Sequence, residues 1–107
     1  MSDNSKIAVL GGGSFGTTIA NIAAENGCQV RLWMRSEEAV KNLQSTRVNA
    51  KYLPGLKLHD NLTACAQLEQ AVAGANIIFF AIPSKSFREV AKSVKDIVKS
   101  DQFLMII

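Results

Sequence analysis

KIAVLGGGSFG (residues 6–16) is an apolar run that leads directly into three glycines and, after two further residues, a fourth. This pattern predicts a strand, a G-x-G-x-x-G turn and a helix, which is the arrangement that a bound pyrophosphate requires. Gly11 permits the sharp turn, Gly13 leaves room for phosphate oxygens beside the backbone, and Gly16 lets the helix lie close to the strand. A helix that begins near Ser14 aims its unpaired N–H groups at the anion.

Apolar runs alternate with segments of helical periodicity along the rest of the chain. The later apolar runs are residues 29–33, 62–65, 76–82 and 103–107. Alternating strands and helices predict right-handed βαβ units and therefore a parallel sheet. We expect a Rossmann-type doubly wound α/β fold with strand order 3-2-1-4-5, helices on both faces, and a ligand outside the carboxyl ends of the strands.

The first two helices have identifiable features in the sequence. Phe15, Ile19, Ile22 and Ala23 share one face of the first helix, and we expect that face to be buried. The same periodicity places Asn21 on the exposed side. Ser36 is expected to cap the second helix, which begins with two glutamates.

Composition limits the classes of protein that the chain can belong to. Its 107 residues, 48% hydrophobic and 20% charged, fit one globular domain spanning residues 1–107. The basic residues are scattered and include no one-sided stripe with stacking aromatics, which argues against nucleic-acid binding. No apolar run is long enough to span a membrane. Cys28 and Cys65 lack metal-type spacing and are expected to be reduced thiols, so we expect a cytoplasmic protein.

The chain stops at Ile107, within an apolar run. Natural termini are usually polar and exposed. We therefore expect a truncated chain. Its missing part would normally cover apolar surface, and because that surface is exposed here, the chain could associate into a homodimer.

Two residues decide what kind of phosphate ligand the glycine turn suits. A P-loop would need lysine at position 17, where this chain has Thr17, so nucleoside triphosphate hydrolysis is disfavoured. An NAD-specific site places an acid about 20 residues beyond the glycines. Arg35 stands there instead, nineteen positions after Gly16. Because a guanidinium can pair with a 2′-phosphate and stack on adenine, we expect NADP(H) in preference to NAD(H). An acid would also be needed at this position in a methyltransferase.

Other candidate residues remain open on sequence alone. Pro83-Ser84 either lines the nicotinamide site or starts a helix that Ser84 caps. Tyr52 looks like a packed loop aromatic, and His59 like an exposed loop histidine. We find no catalytic triad, acid–base pair or metal-ligand set in the sequence, so we assign no catalytic residue.

Five ordered blocks together carry a family resemblance. They are residues 7–18 (IAVLGGGSFGTT), 30–35 (VRLWMR), 52–55 (YLPG), 81–84 (AIPS) and 88–90 (REV). In these blocks the chain resembles the amino-terminal domain of bacterial NAD(P)-dependent glycerol-3-phosphate dehydrogenase. The resemblance implies hydride transfer between NAD(P)H and dihydroxyacetone phosphate, a phosphorylated triose, giving sn-glycerol 3-phosphate for phospholipid synthesis. It also implies that Ser14, Phe15, Arg35 and Tyr52 contact the cofactor, which makes Tyr52 a site residue.

Two departures accompany the resemblance. Phe15 stands where the family usually has Trp or Tyr, and the aromatic wall is retained. The family's Thr-Lys-Gly segment would follow Ile107, and its catalytic lysine lies in a helical carboxy-terminal domain, so we expect this chain alone to be inactive. The alternatives are the front domain of another hydroxyacid or sugar-acid dehydrogenase, and a non-catalytic dinucleotide sensor.

Overall fold

Strands and helices alternate along the whole of the chain that the computed structural model describes, residues 5–98 and 103–106. In chain order they are β1 (Lys6–Leu10), α1 (Ser14–Glu25), β2 (Gln29–Trp33), α2 (Glu37–Thr46), β3 (Leu62–Cys65), α3 (Leu68–Val72), β4 (Ile77–Phe80), α4 (Ser84–Lys95) and β5 (Phe103–Ile106). The five strands are parallel and lie in the order β3-β2-β1-β4-β5. The predicted doubly wound α/β fold and its strand order are confirmed.

The central strand β1 contributes to apolar cores on both faces of the sheet. Ile7 and Val9 pack with residues of α1 and α2 on one face. Ala8 and Leu10 alternate with them and pack with residues of α3 and α4 on the other. All four side chains are almost fully buried. A strand covered on both faces explains the unbroken apolar run that precedes the glycines.

The predicted apolar face of helix α1 is only partly buried: Ala23 is buried and Ile19 packs against the core, but the other two residues do not follow. Phe15 and Ile22 are 55% and 54% exposed, whereas Asn21 is buried. The buried face consists of Gly16, Thr17, Ala20, Asn21, Ala23 and Ala24. Small side chains let the helix backbone approach the sheet, and the buried Asn21 oxygen accepts the backbone N–H of His59 at 2.8 Å. Close approach therefore outweighed the burial of the larger side chains.

Helix α2 begins as predicted. Ser36 adopts an extended conformation, and its hydroxyl oxygen accepts the backbone N–H of Ala39 at 3.2 Å. This bond satisfies one of the N–H groups that a helix start leaves without a partner. Strand β4 is shorter than the predicted residues 76–82, and Ile107 of the predicted last strand lies outside the described residues.

Candidate functional site

The carboxyl ends of three neighbouring strands open at one edge of the sheet. Leu10 of β1 pairs in register with Trp33 of β2 and with Phe80 of β4. Two hydrogen bonds continue this pairing: the Gly11 N–H donates to the Trp33 carbonyl at 3.0 Å, and the Ala81 N–H donates to the Leu10 carbonyl at 2.9 Å. The connections that follow these strands therefore start side by side, where the strand order reverses.

Two glycines make the turn between β1 and α1 possible. Gly11 has a φ of 130°, which side-chain-bearing residues rarely adopt. A β-carbon at Gly16 would collide with the carbonyl oxygen of Gly11 and would press on the Ala81 side chain. A β-carbon at Gly13 would meet nothing within 4 Å. Gly11 and Gly16 are thus needed for the turn and its packing, whereas the space beside Gly13 is open.

A cleft of about 610 Å³ lies at this edge of the sheet. It is lined by the turn, by the ends of β2 and β4, and by the loop that follows α2. The structure brings all seven residues predicted from the sequence into its lining, namely Gly11, Gly13, Ser14, Phe15, Gly16, Arg35 and Tyr52. Its volume falls in the range of small-molecule sites, roughly 300–1,000 Å³.

The start of α1 points into this cleft. Gly13 is the N-cap residue and has no side chain with which to cap the helix. The first intrahelical bond runs from the Thr17 N–H to the Gly13 carbonyl at 3.0 Å. The N–H groups of Ser14, Phe15 and Gly16 precede it and have no carbonyl partner within the helix. Such a helix start attracts an anion.

Among the described residues, the cleft is lined by two cationic side chains, Arg35 and Lys51, and by no carboxylate. The Arg35 guanidinium lies 5.5 Å from the centre of the Trp33 ring. The Lys51 ammonium lies 5.2 Å from the centre of the Tyr52 ring. Tyr52 is 46% exposed, so the interpretation of it as a packed loop aromatic is wrong. Cations beside exposed aromatic rings suit a ligand with phosphates and a flat base.

Of the other candidates, Pro83 lies in the cleft, whereas His59 lies in an exposed loop. Pro83 lines the cleft and is the N-cap residue of α4, which has no side-chain capping bond, so the expectation that Ser84 caps this helix is wrong. His59 is exposed in a loop, as predicted, and its Nδ1 accepts the backbone N–H of Asn61 at 3.0 Å.

Sequence reasoning missed a buried polar cluster beneath the turn. Asn49 is 5% exposed and Thr17 is fully buried. The Asn49 side-chain amide donates to the Gly12 carbonyl and to the Thr17 hydroxyl, both at 2.8 Å. An asparagine followed by a Tyr-Leu-Pro-Gly turn gives no periodic signal, so its burial could not be predicted from the pattern.

A second concavity, of about 420 Å³, lies at the far edge of the sheet between β3 and α3. Arg31 donates from one guanidinium nitrogen to the carbonyls of Gln70 and Ala73, both at 2.7 Å, and so satisfies the end of α3. Burial raises the pKa of the nearby Cys65 thiol, and the Arg31 charge lowers it by less. Arg31 is thus occupied by the helix end.

Residues 5–98 and 103–106 contain neither a candidate metal site nor a candidate membrane span. No group of three or more His, Cys, Asp or Glu side chains there could hold a metal ion. No helix in that part of the chain is both long enough and apolar enough to cross a membrane.

Comparison with known proteins decides the family. Residues 6–107 match the family model described as NAD-dependent glycerol-3-phosphate dehydrogenase N-terminus. The chain belongs to the glycerol-3-phosphate dehydrogenase family. This membership confirms the resemblance found in the sequence and disfavours the alternative of a hydroxyacid or sugar-acid dehydrogenase.

Individual members of the family agree with this assignment. The chain is 51% identical over 94 residues to a glycerol-3-phosphate dehydrogenase [NAD(P)+] of Teredinibacter turnerae, a match that covers 88% of this chain and 28% of the relative. The glycerol-3-phosphate dehydrogenase structure from Coxiella burnetii superposes with a TM-score of 0.92 at 31% identity, covering 98% of this chain and 32% of that one. The structure from Saccharomyces cerevisiae gives 0.89 at 32% identity, covering 96% and 33%. The chain thus spans about a third or less of these proteins.

Proposed function

We propose that this chain binds NADP(H), and more weakly NAD(H), as the dinucleotide-binding domain of a glycerol-3-phosphate dehydrogenase. The observation that carries the proposal is the cleft at the reversal point of the sheet, where the start of α1 meets a lining whose charged residues are both cationic. The names of its relatives specify NAD(P)+, which covers both coenzymes, so the preference for NADP(H) rests on the residues of the cleft.

The pyrophosphate would lie against the glycine turn. There the amides of Ser14, Phe15 and Gly16 would donate to its oxygens, and the open space beside Gly13 would admit them. A β-carbon at Gly13 would occupy this space, whereas Gly11 and Gly16 are needed for the turn itself.

The adenosine half would lie at the end of β2. Arg35 would pair with the 2′-phosphate and cover one face of the adenine, and Tyr52 would close the opposite side of the cleft. A 2′-phosphate adds a charge-assisted partner for the guanidinium, and this is the physical reason for preferring NADP(H) over NAD(H).

We further propose that the whole enzyme uses this cofactor to reduce dihydroxyacetone phosphate to sn-glycerol 3-phosphate for phospholipid synthesis. The bound nicotinamide supplies the hydride. The described residues that line the cleft include no Asp, Glu or His, and we propose that the group that moves the proton comes from a carboxy-terminal domain. Residues 1–107 would then form a cofactor domain without turnover of its own. The two cysteines are thiols, in keeping with a reducing cytoplasm.

Two exposed apolar side chains of helix α1 could contact another domain or another protein chain. Phe15 and Ile22 lie seven residues apart on α1 and are each more than half exposed. They would suit either the proposed carboxy-terminal domain or a second copy in a homodimer.

Isothermal titration calorimetry with NADPH and with NADH tests the proposed binding. We expect saturable binding of one NADPH per chain and weaker binding of NADH. Absence of heat with both coenzymes, at protein concentrations where circular dichroism shows a folded chain, would overturn the proposal. Oxidation of NADPH by the purified chain in the presence of dihydroxyacetone phosphate would overturn the assignment of catalysis to another domain.

A further inference from the structure

We propose that Asn49 is a positioning residue that holds the Gly12–Gly13 peptide in the orientation needed to bind an anion, and that it couples this peptide to the loop carrying Tyr52. The inference rests on the proposed function, because the anion would be the pyrophosphate of the dinucleotide. Asn49 does not line the cleft and would act through its neighbours.

Both hydrogens of the Asn49 side-chain amide have acceptors. One bond goes to the Gly12 carbonyl and the other to the Thr17 hydroxyl, each at 2.8 Å. The Thr17 hydroxyl also lies 3.4 Å from the Gly12 carbonyl, to which it can donate. Because Asn49 and Thr17 are buried, these bonds are shielded from competing water.

The carbonyl bond sets the direction of the next amide. A trans peptide carries its C=O and N–H on opposite sides. With the Gly12 oxygen held towards Asn49, the Gly13 N–H must point away from Asn49, on a residue that lines the cleft beside open space. Two adjacent glycines flip their shared peptide more readily than other residues, since no β-carbon resists it. A flipped peptide would present a carbonyl oxygen to the phosphates and repel them.

The same residue also organises the opposite wall of the cleft. The backbone carbonyl of Asn49 accepts the N–H of Leu53 at 2.8 Å and that of Tyr52 at 3.3 Å. These bonds close the turn that presents Lys51 and Tyr52 to the cleft. One residue therefore contacts the phosphate-binding turn through its side chain and the turn that carries Tyr52 through its backbone carbonyl.

Asn21 provides a matched control within the chain. It is also an asparagine with 5% exposure, and its side chain also joins α1 to the long loop. Its oxygen accepts the backbone N–H of His59 at 2.8 Å, a bond that involves no atom of the glycine turn. Asn21→Ala removes a buried polar contact, as Asn49→Ala does, but leaves the Gly12 carbonyl bonded.

The first experiment measures NADPH affinity in the 107-residue chain through quenching of Trp33, the chain's single tryptophan, which lines the cleft. We expect Asn49→Ala to weaken binding by roughly tenfold, the equivalent of one lost hydrogen bond. Asn49→Asp should weaken it further, because a carboxylate would face the Gly12 carbonyl. Asn21→Ala should leave affinity within about twofold. Equal losses in Asn49→Ala and Asn21→Ala would overturn the proposal, since a purely structural role predicts them.

A double-mutant cycle tests the coupling. If Asn49 acts partly through Tyr52, then Tyr52→Ala should cost less affinity in the Asn49→Ala background than in the wild type. Additive losses would contradict the coupling.

The orientation of the peptide can also be tested without a ligand. NMR relaxation dispersion of the Gly13 amide should show exchange in Asn49→Ala and none in Asn21→Ala or the wild type. If the wild-type chain fails to bind NADPH, the proposed function falls, whereas exchange at Gly13 still decides whether Asn49 holds the peptide. Absence of exchange at the Gly13 amide in Asn49→Ala would overturn the inference even if the cofactor binds.

Discussion

The guanidinium of Arg35 lies 3.9 Å from the carboxylate of Glu89. This contact joins the segment that follows β2, which lines the cleft at Arg35, to α4. Both side chains are more than half exposed, so water screens their attraction and the pair contributes about 0–1 kcal/mol. A weak pair of this kind can give way to a phosphate. Arg35 is thus held near its place beside Trp33 without being committed to Glu89.

Reversing the charge at Arg35 should weaken the binding of NADPH much more than the binding of NADH. We expect Arg35→Asp to weaken NADPH binding by roughly ten- to a hundredfold, because it removes a charge-assisted bond and adds repulsion to the 2′-phosphate. NADH, which lacks that phosphate, should lose much less. Calorimetry with both coenzymes measures the two effects. Arg88→Asp makes the same change of charge at an exposed position of α4 that does not line the cleft, and should affect both coenzymes little. Equal losses of NADPH and NADH in Arg35→Asp would refute the assignment.

Neutralising Glu89 should raise the affinity for NADPH, whereas the substitution at Arg35 lowers it. Glu89→Gln releases Arg35 from its acidic neighbour and removes a negative charge near the expected 2′-phosphate. We expect NADPH affinity to rise by about two- to fivefold at low salt, in keeping with the modest energy of exposed pairs. Raising the salt concentration should reduce the gain. An NADPH affinity that falls in Glu89→Gln would show that this carboxylate assists binding.

Two glycine substitutions should separate folding from binding. Gly16→Ala drives a methyl group into the Gly11 carbonyl, and we expect a loss of about 1–3 kcal/mol in the free energy of unfolding. Gly13→Ala fits its φ of −73° and meets no neighbour, and the unfolded-state gain is offset by the preference for Gly over Ala at an N-cap, so stability should change by less than about 1 kcal/mol. Urea denaturation measures both changes.

The same Gly13→Ala variant should bind the dinucleotide poorly, because its methyl group fills the space that the phosphate oxygens need. Titration of the folded variant with NADPH tests this. Full affinity in Gly13→Ala would show that the phosphates lie elsewhere.

The stability of the fold should depend on the titration of Cys65. Burial raises the pKa of this thiol, and the charge of Arg31 offsets the shift only in part. A raised folded-state pKa means that the folded chain prefers the neutral thiol. The resulting stability is complete below the unfolded-state pKa and is lost as the pH rises through the folded-state pKa. Urea denaturation at neutral and alkaline pH should therefore show a larger alkaline loss for the wild type than for Cys65→Ser. Identical losses would contradict this cause.

The fold could be predicted because its signals are local. The apolar run before Gly11, the positive φ at Gly11 and the cap at Ser36 each follow from the neighbouring residues alone. The buried face of α1 could not be predicted in this way. Its orientation depends on how closely Gly16 approaches Gly11, which is a contact between two elements, and that contact leaves Phe15 and Ile22 exposed.

Part of the candidate site could also be predicted from the sequence, namely the residues in or next to a motif. Residues in or next to a motif, such as Ser14 and Arg35, could be placed by counting from the glycines. Asn49 lies in an irregular loop and reaches Gly12 across 37 positions of sequence, so its role emerges only from the folded chain. Tyr52 required the family resemblance, since an aromatic in a loop is equally compatible with packing.

The most direct test is a titration of the isotopically labelled chain with NADPH, followed through its amide resonances. The proposed site predicts that the largest shifts fall on Gly13, Ser14, Phe15 and Gly16, with smaller shifts at Arg35 and Tyr52. Shifts concentrated at Arg31 and Ala73, at the far edge of the sheet, or no saturable shifts at any amide, would contradict binding at the turn between β1 and α1.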